Sequence, residues 1–198
     1  MKTLITGATG FLGAHLCEEL NRQGQAGNLR VLARSHARRL FAMGIEVVTG
    51  SVLSPDDLAA ALRGVDRVYH LAGLVSRRRE DAPRMYQVHV DGTRLLCEAA
   101  AKAGVKRIVL ASTSGTIAVS RTGADFLDEL GPAPLDIIAR FPYYASKHYQ
   151  EAAARRACGD AVELVIVNPS LLLGPGDDRL SSTRDVLDFL GGKIRLDS

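Results

Sequence analysis

Tryptophan is absent from the 198 residues, and all aromatics together make up only 5%. A surface for single-stranded nucleic acid needs aromatic platforms set in a sustained basic stripe. The formal charge here is only +3, and the densest basic cluster, Arg77 to Arg79, is followed at once by Glu80 and Asp81. Nucleic acid is therefore not an expected partner. Long apolar runs are lacking too. No stretch is long enough for a membrane span, and the run ending at Thr6-Gly7 is too short for a signal peptide. The expectation is a soluble, cytoplasmic chain with no membrane partner. Only three cysteines occur, Cys17, Cys97 and Cys158, far apart and without C-x-x-C spacing. That pattern predicts reduced structural thiols and no metal cluster.

What is present is a regular alternation. Short β-branched or leucine-rich runs predict strands at Thr3 to Thr6, Leu29 to Ala33, Glu46 to Thr49, Arg67 to Leu71, Arg107 to Ser112 and Val162 to Asn168. Apolar spacing of three and four predicts helices at Phe11 to Arg22, His36 to Met43, Pro55 to Leu62, Pro83 to Lys102 and Tyr143 to Cys158. Ser54-Pro55-Asp56-Asp57 combines a cap, a first-turn proline and first-turn acids, while Gly24, Gly44, Gly64 and Gly104 follow helical runs. The stretch Gly123 to Arg140, broken by Pro132 and Pro134, reads as a loop. No internal repeat or low-complexity linker divides the chain. The pattern predicts an α/β fold, a doubly wound parallel sheet covered on both faces. Its ligand crevice lies beyond the carboxyl ends of the strands.

The chemistry-bearing residues fall at those ends. Thr6-Gly7-Ala8-Thr9-Gly10-Phe11-Leu12-Gly13 follows the first strand and opens the first helix. One glycine permits the tight turn, a second lets a pyrophosphate approach the backbone, and a third lets helix pack on strand. Free amides and the helix dipole then favour an anion there. At the end of the second strand, where an acid would hold the ribose 2′-hydroxyl of NAD, stands Arg34. A guanidinium there suits the 2′-phosphate of NADP, with Arg38 or Arg39 one turn on; the bland alternative is a solvated strand-end arginine.

Pro142-Tyr143-Tyr144-Ala145-Ser146-Lys147 opens the helix before the last strand. Residues four apart share a helical face, so Tyr143 and Lys147 can act on one ligand. An ammonium beside a phenol stabilises the phenolate, which predicts a depressed tyrosine pKa and general acid/base chemistry. Tyr144 competes for the role, but lies three residues from Lys147. The fifth strand ends in Ser112-Thr113-Ser114-Gly115, whose hydroxyls can donate to a substrate oxygen or merely cap the strand.

Together these residues resemble the extended (atypical) short-chain dehydrogenase/reductase family, in its NAD-dependent epimerase/dehydratase and dihydroflavonol-reductase-like group. Thr6 to Gly13 is similar to that family's T-G-x-x-G-x-x-G, and His70-Leu71-Ala72-Gly73 to its fourth-strand segment beside the cofactor. Val90-Asp91-Gly92-Thr93 resembles its V-x-G-T element, and Asn168-Pro169-Ser170 through Gly176 its segment near the nicotinamide. The resemblance implies a Rossmann fold and catalytic Ser114, Tyr143 and Lys147, with Lys147 also holding the ribose. It implies cofactor contacts from Gly7, Thr9, Gly10, Phe11, Leu12, Gly13, Arg34, Ser51, Val52, Leu71, Ala72, Gly73, Tyr143, Lys147 and Pro169. A homodimer is a further implication.

Three departures stand out. His89 occupies the place of the family's usual Asn, and Ser51 that of an Asp meeting adenine. The family also continues into a smaller C-terminal substrate lobe. On that comparison residues 1–179 form the NAD(P)-binding domain, and 180–198 begin a lobe that is mostly absent. The expected function is hydride transfer between NADP, with NAD as alternative, and a carbonyl or secondary alcohol. The rivals are a nucleotide-sugar epimerase/dehydratase with retained cofactor, and a truncated cofactor-binding module without catalysis.

Overall fold

A computed structural model describes residues 1–193 apart from 36, 118, 123–127, 132 and 179. Its strands are β1 (Thr3–Thr6), β2 (Leu29–Ala33), β3 (Glu46–Thr49), β4 (Arg67–His70), β5 (Arg107–Ala111) and β6 (Glu163–Val167). They form one parallel sheet in the order β3-β2-β1-β4-β5-β6, the doubly wound arrangement expected. The helices are α1 (Phe11–Arg22), α2 (Arg38–Ala42), α3 (Pro55–Ala61), α4 (Ala82–Tyr86), α5 (Gly92–Lys102), α6 (Leu135–Ile138), α7 (Pro142–Cys158) and α8 (Thr183–Leu190). Strand order reverses between β1 and β4. There Thr6 pairs in register with His70, and His70 with Leu110, so three strands end side by side on the crevice.

Apolar residues alternate between two cores. On one face Leu4, Val68, Ile108 and Leu110 pack with Leu58, Leu96 and Ala154 from α3, α5 and α7. On the other Ile5, Val31 and Ile45 pack with Cys17 and Leu40 from α1 and α2. Cover is not complete on both faces as predicted. Along the edge strand β6, Val165 and Val167 stay 37% and 41% exposed.

Other differences are local. The predicted single helix from Pro83 to Lys102 is interrupted by a π-helical turn, Gln87–Asp91. Short helix α6 rises within the stretch read as loop; 123–127 and 132 of that stretch lie outside the described residues, as does His36 at the predicted start of α2. The cysteines are all free and buried, yet not all apart: packing of α5 on α7 puts Cys97 and Cys158 in one core cluster, where each shifts the titration of the other's thiol. The start of α3 is as predicted, with the Ser54 side chain accepting from the Asp57 amide. Ser54→Ala should therefore lower unfolding free energy by about 1 kcal/mol. Urea denaturation checks this, and an unchanged midpoint would show that the cap carries no stability.

Candidate active site

The glycine turn is shaped by backbone contact. Gly7 has a φ of 73°, and a Cβ there would lie 2.5 Å from the Leu71 carbonyl carbon and oxygen. A Cβ on Gly13 would lie 2.3 Å from the Gly7 oxygen. At Gly10 the nearest atom would be 3.3 Å away, so this glycine faces the most room. Gly10 caps α1 without a side-chain bond, and no acid stands in the first turn. The amides opening α1 are thus left for an anion. Thr9, Gly10, Phe11 and Leu12 keep part of their surface open at this tip. Phe11 meets His15 edge-on, and His15 Nε2 donates to the Pro175 carbonyl at 2.9 Å.

Arg34 lies exposed at the end of β2, and among the described residues neither it nor Arg38 forms an ion pair, whereas Arg39 is bound to Glu18 of α1. Ser51 and Val52 follow β3. The Ser51 hydroxyl accepts from the Leu53 amide at 3.1 Å, its own amide donates to Asp57 at 2.9 Å, and Val52 packs toward Gly92.

Lys147 is held at the centre of the site. It projects from α7, only 6% exposed, and Nζ donates to the Ala111 carbonyl at 2.8 Å and to Gln150 Oε1 at 2.9 Å. Burial draws its pKa down to about 8, against the opposing pull of the Glu151 carboxylate. Gln150 Nε2 donates in turn to Thr93 Oγ1 at 2.8 Å; His70 joins Thr93 at 2.8 Å and Thr6 at 2.6 Å. Thr6 Oγ1 also accepts from the Ala72 amide at 3.3 Å. A second arm runs through His89. Its Nε2 accepts from the Leu74 amide at 3.0 Å, so its proton sits on Nδ1, which donates to Ser146 Oγ at 2.9 Å. Ser146 Oγ donates to the Tyr143 carbonyl at 2.8 Å. Burial, then the Lys147 charge, pushes both imidazoles down to about 3, leaving them neutral. The substitution of His for Asn is thus accommodated: the ring bridges the loop after β4 to α7, and the π-helical turn is where it inserts.

Tyr143 corrects one expectation. No hydrogen bond joins its phenol to Lys147 among the described residues, and the phenol is pushed up to about 12, first by burial and then by Tyr144. Desolvation outweighs the ammonium in this state, because Nζ is directed at Ala111 and Gln150. Tyr144 is occupied elsewhere: a Cβ on Gly115 would lie 2.3 Å from its ring. Of the hydroxyls after β5, Ser112 donates to Glu151, and Thr113 accepts from the Gly115 amide at 3.3 Å. Half-buried Ser114 has no side-chain partner among the described residues; its amide donates to the Pro169 carbonyl at 2.9 Å. Glu151, which also binds Thr116 and Asn168, was no part of the sequence reading, although it lies four residues beyond Lys147. A cleft of about 620 Å³ at the other end of α7, lined by Cys158 and Glu163, touches none of these residues. Among the described residues there is no cluster that could hold a metal, and no helix long and apolar enough to cross a membrane.

The family model described as NAD dependent epimerase/dehydratase matches residues 3–191. The chain belongs to this family. It is 33% identical over 196 residues to "Sterol demethylase protein B" of Methylococcus capsulatus, covering 98% of this chain and 59% of that protein. It is 33% identical over 187 residues to "2-alkyl-3-oxoalkanoate reductase" of Stenotrophomonas maltophilia, covering 91% and 53%. The crystal structure of gox2253 superposes with a TM-score of 0.83 at 32% identity, covering 98% of this chain and 58% of that one. The chain therefore spans just over half the length of these relatives. A family member needs room for a dinucleotide at the glycine turn, and the turn has it at Gly10 rather than Gly7 or Gly13. Gly13→Ala should destabilise the fold, and Gly10→Ala should leave melting near normal while weakening dinucleotide binding. Thermal melts with calorimetric titration check this; equal melting losses in both would contradict it.

Proposed function

We propose that this chain is the dinucleotide-binding part of an NADP-dependent reductase of carbonyl groups, with Ser114, Tyr143 and Lys147 as catalytic groups. The observation that carries the reading is the buried Lys147, whose ammonium has two donors engaged and one N–H left, on the same helix face as Tyr143. The uncommitted Arg34 supports NADP over NAD. Reduction is supported by the relative named "2-alkyl-3-oxoalkanoate reductase".

When bound, the dinucleotide supplies the hydride. The residues do the rest. Amides at the start of α1 hold the diphosphate, Lys147 donates its third N–H to ribose, and Arg34 meets the 2′-phosphate. Gly7, Thr9, Phe11, Leu12, Gly13, Ser51, Val52, Leu71, Ala72, Gly73 and Pro169 line the path. Ser114 donates to the substrate oxygen, and Tyr143 Oη gives that oxygen its proton. With the phenol pushed up to about 12, Tyr143 is protonated across neutral pH. Carbonyl reduction, which uses it as acid, therefore keeps its donor as pH rises; alcohol oxidation needs phenolate and should climb with pH.

The family description equally names epimerases, and retained cofactor with no net NADPH consumption is the mark of that second reading. Residues 1–179 act as the dinucleotide domain, and residues from Leu180 on open a substrate lobe. Three free cysteines support a cytoplasmic location, and the family resemblance supports a homodimer. Arg34→Ala should weaken NADP binding roughly tenfold and leave NAD binding nearly unchanged, the loss of one charge-assisted contact. Equal losses for both cofactors would remove the NADP assignment. Tyr143→Phe should bind NADPH normally and lose turnover of ketones; retained turnover would contradict its role.

A further inference from the structure

Gln150 is completely buried one turn beyond Lys147 and belongs to none of the motifs above. Its amide is used at both ends, with Oε1 accepting from Lys147 Nζ at 2.9 Å and Nε2 donating to Thr93 Oγ1 at 2.8 Å. A neutral amide both accepts from an ammonium and donates to a hydroxyl, which neither a carboxylate nor a hydrocarbon can do. We propose that Gln150 is the positioning residue for Lys147, anchoring Nζ between α7 and β5 and leaving one N–H for a ligand. Only the identity of that ligand rests on the dinucleotide reading; the hold on Nζ does not.

The surroundings make Gln150 the deciding neighbour. From β5, Nζ meets the Ala111 carbonyl; from the loop after β4, it lies 3.7 Å from where a Cβ on Gly73 would sit. His70 of β4 and His89 of the π-helical turn face it as neutral rings. On α7 itself, Tyr143 is a neutral phenol, and Glu151 is the one carboxylate, with Oε1 turned to Ser112, Thr116 and Asn168. Among the described residues Lys147 forms no ion pair, so exchanging the amide changes the field at Nζ without breaking one.

The test uses the full chain, with Lys147 titrated by lysine ¹³Cε NMR without cofactor and NADPH affinity measured by fluorescence. Gln150→Glu should raise the Lys147 titration by about 1 unit or more, as an adjacent opposite charge does. Gln150→Leu should lower it and weaken NADPH binding roughly tenfold, the size expected when a buried donor loses its acceptor. If Gln150→Leu does not fold, Gln150→Glu alone decides. A Lys147 titration unmoved in Gln150→Glu overturns the proposal. A wild-type chain that binds no NADPH overturns the dinucleotide reading instead, and the NMR titration still decides the role of Gln150.

Discussion

Lys147 carries an ammonium into a site where burial alone would favour the neutral amine, and its pKa falls to about 8. An ion so placed persists only if its donors are met. Here one partner is the backbone of β5 and the other an amide on its own helix. Each partner is held by something further away, so the charge is stable only where α7, α5 and the ends of β4 and β5 are all in place. Buried polar networks of this kind are strong when complete and costly when broken.

The network ends at Thr6, and that residue joins it to the glycine turn. Thr6 Oγ1 meets His70 on one side and the Ala72 amide on the other. The backbone of Leu71 and Ala72 is also the surface against which Gly7 packs without room for a methyl group. A continuous set of contacts thus runs from the turn suited to a diphosphate to the ammonium suited to a ribose. The parallel register of β1 and β4 sets Thr6 beside His70 and so brings the turn after β1 against the segment after β4.

Much of this was legible in the sequence, because it depends on local pattern. The strands were marked by apolar runs, α3 by its start signals, α1 by the Gly24 that follows it, and the crevice by glycines after the first strand. What could not be read were contacts between residues distant in the chain. Gln150 meets Thr93 across 57 residues, and Ser112 meets Glu151 across 39. No periodicity announces such pairs. His89 stood out as a departure, yet the hydrogen bonds of its ring, within the π-helical turn, depend on where Leu74 and Ser146 lie. The phenol of Tyr143 shows the opposite failure: spacing rightly placed Lys147 on its face, but the expected pKa depression ignored burial, which prevails. The contact of Cys97 with Cys158 likewise follows from how two helices cross.

On the proposed reading, one dinucleotide would span from the opening of α1 to the Tyr143 and Lys147 side chains. The most direct measurement is a crystal structure of the chain with NADP. Diphosphate oxygens should lie within hydrogen-bonding distance of amides among residues 11–13, and ribose hydroxyls on Lys147 Nζ. A diphosphate bound elsewhere, or a ribose out of reach of Lys147, would contradict it.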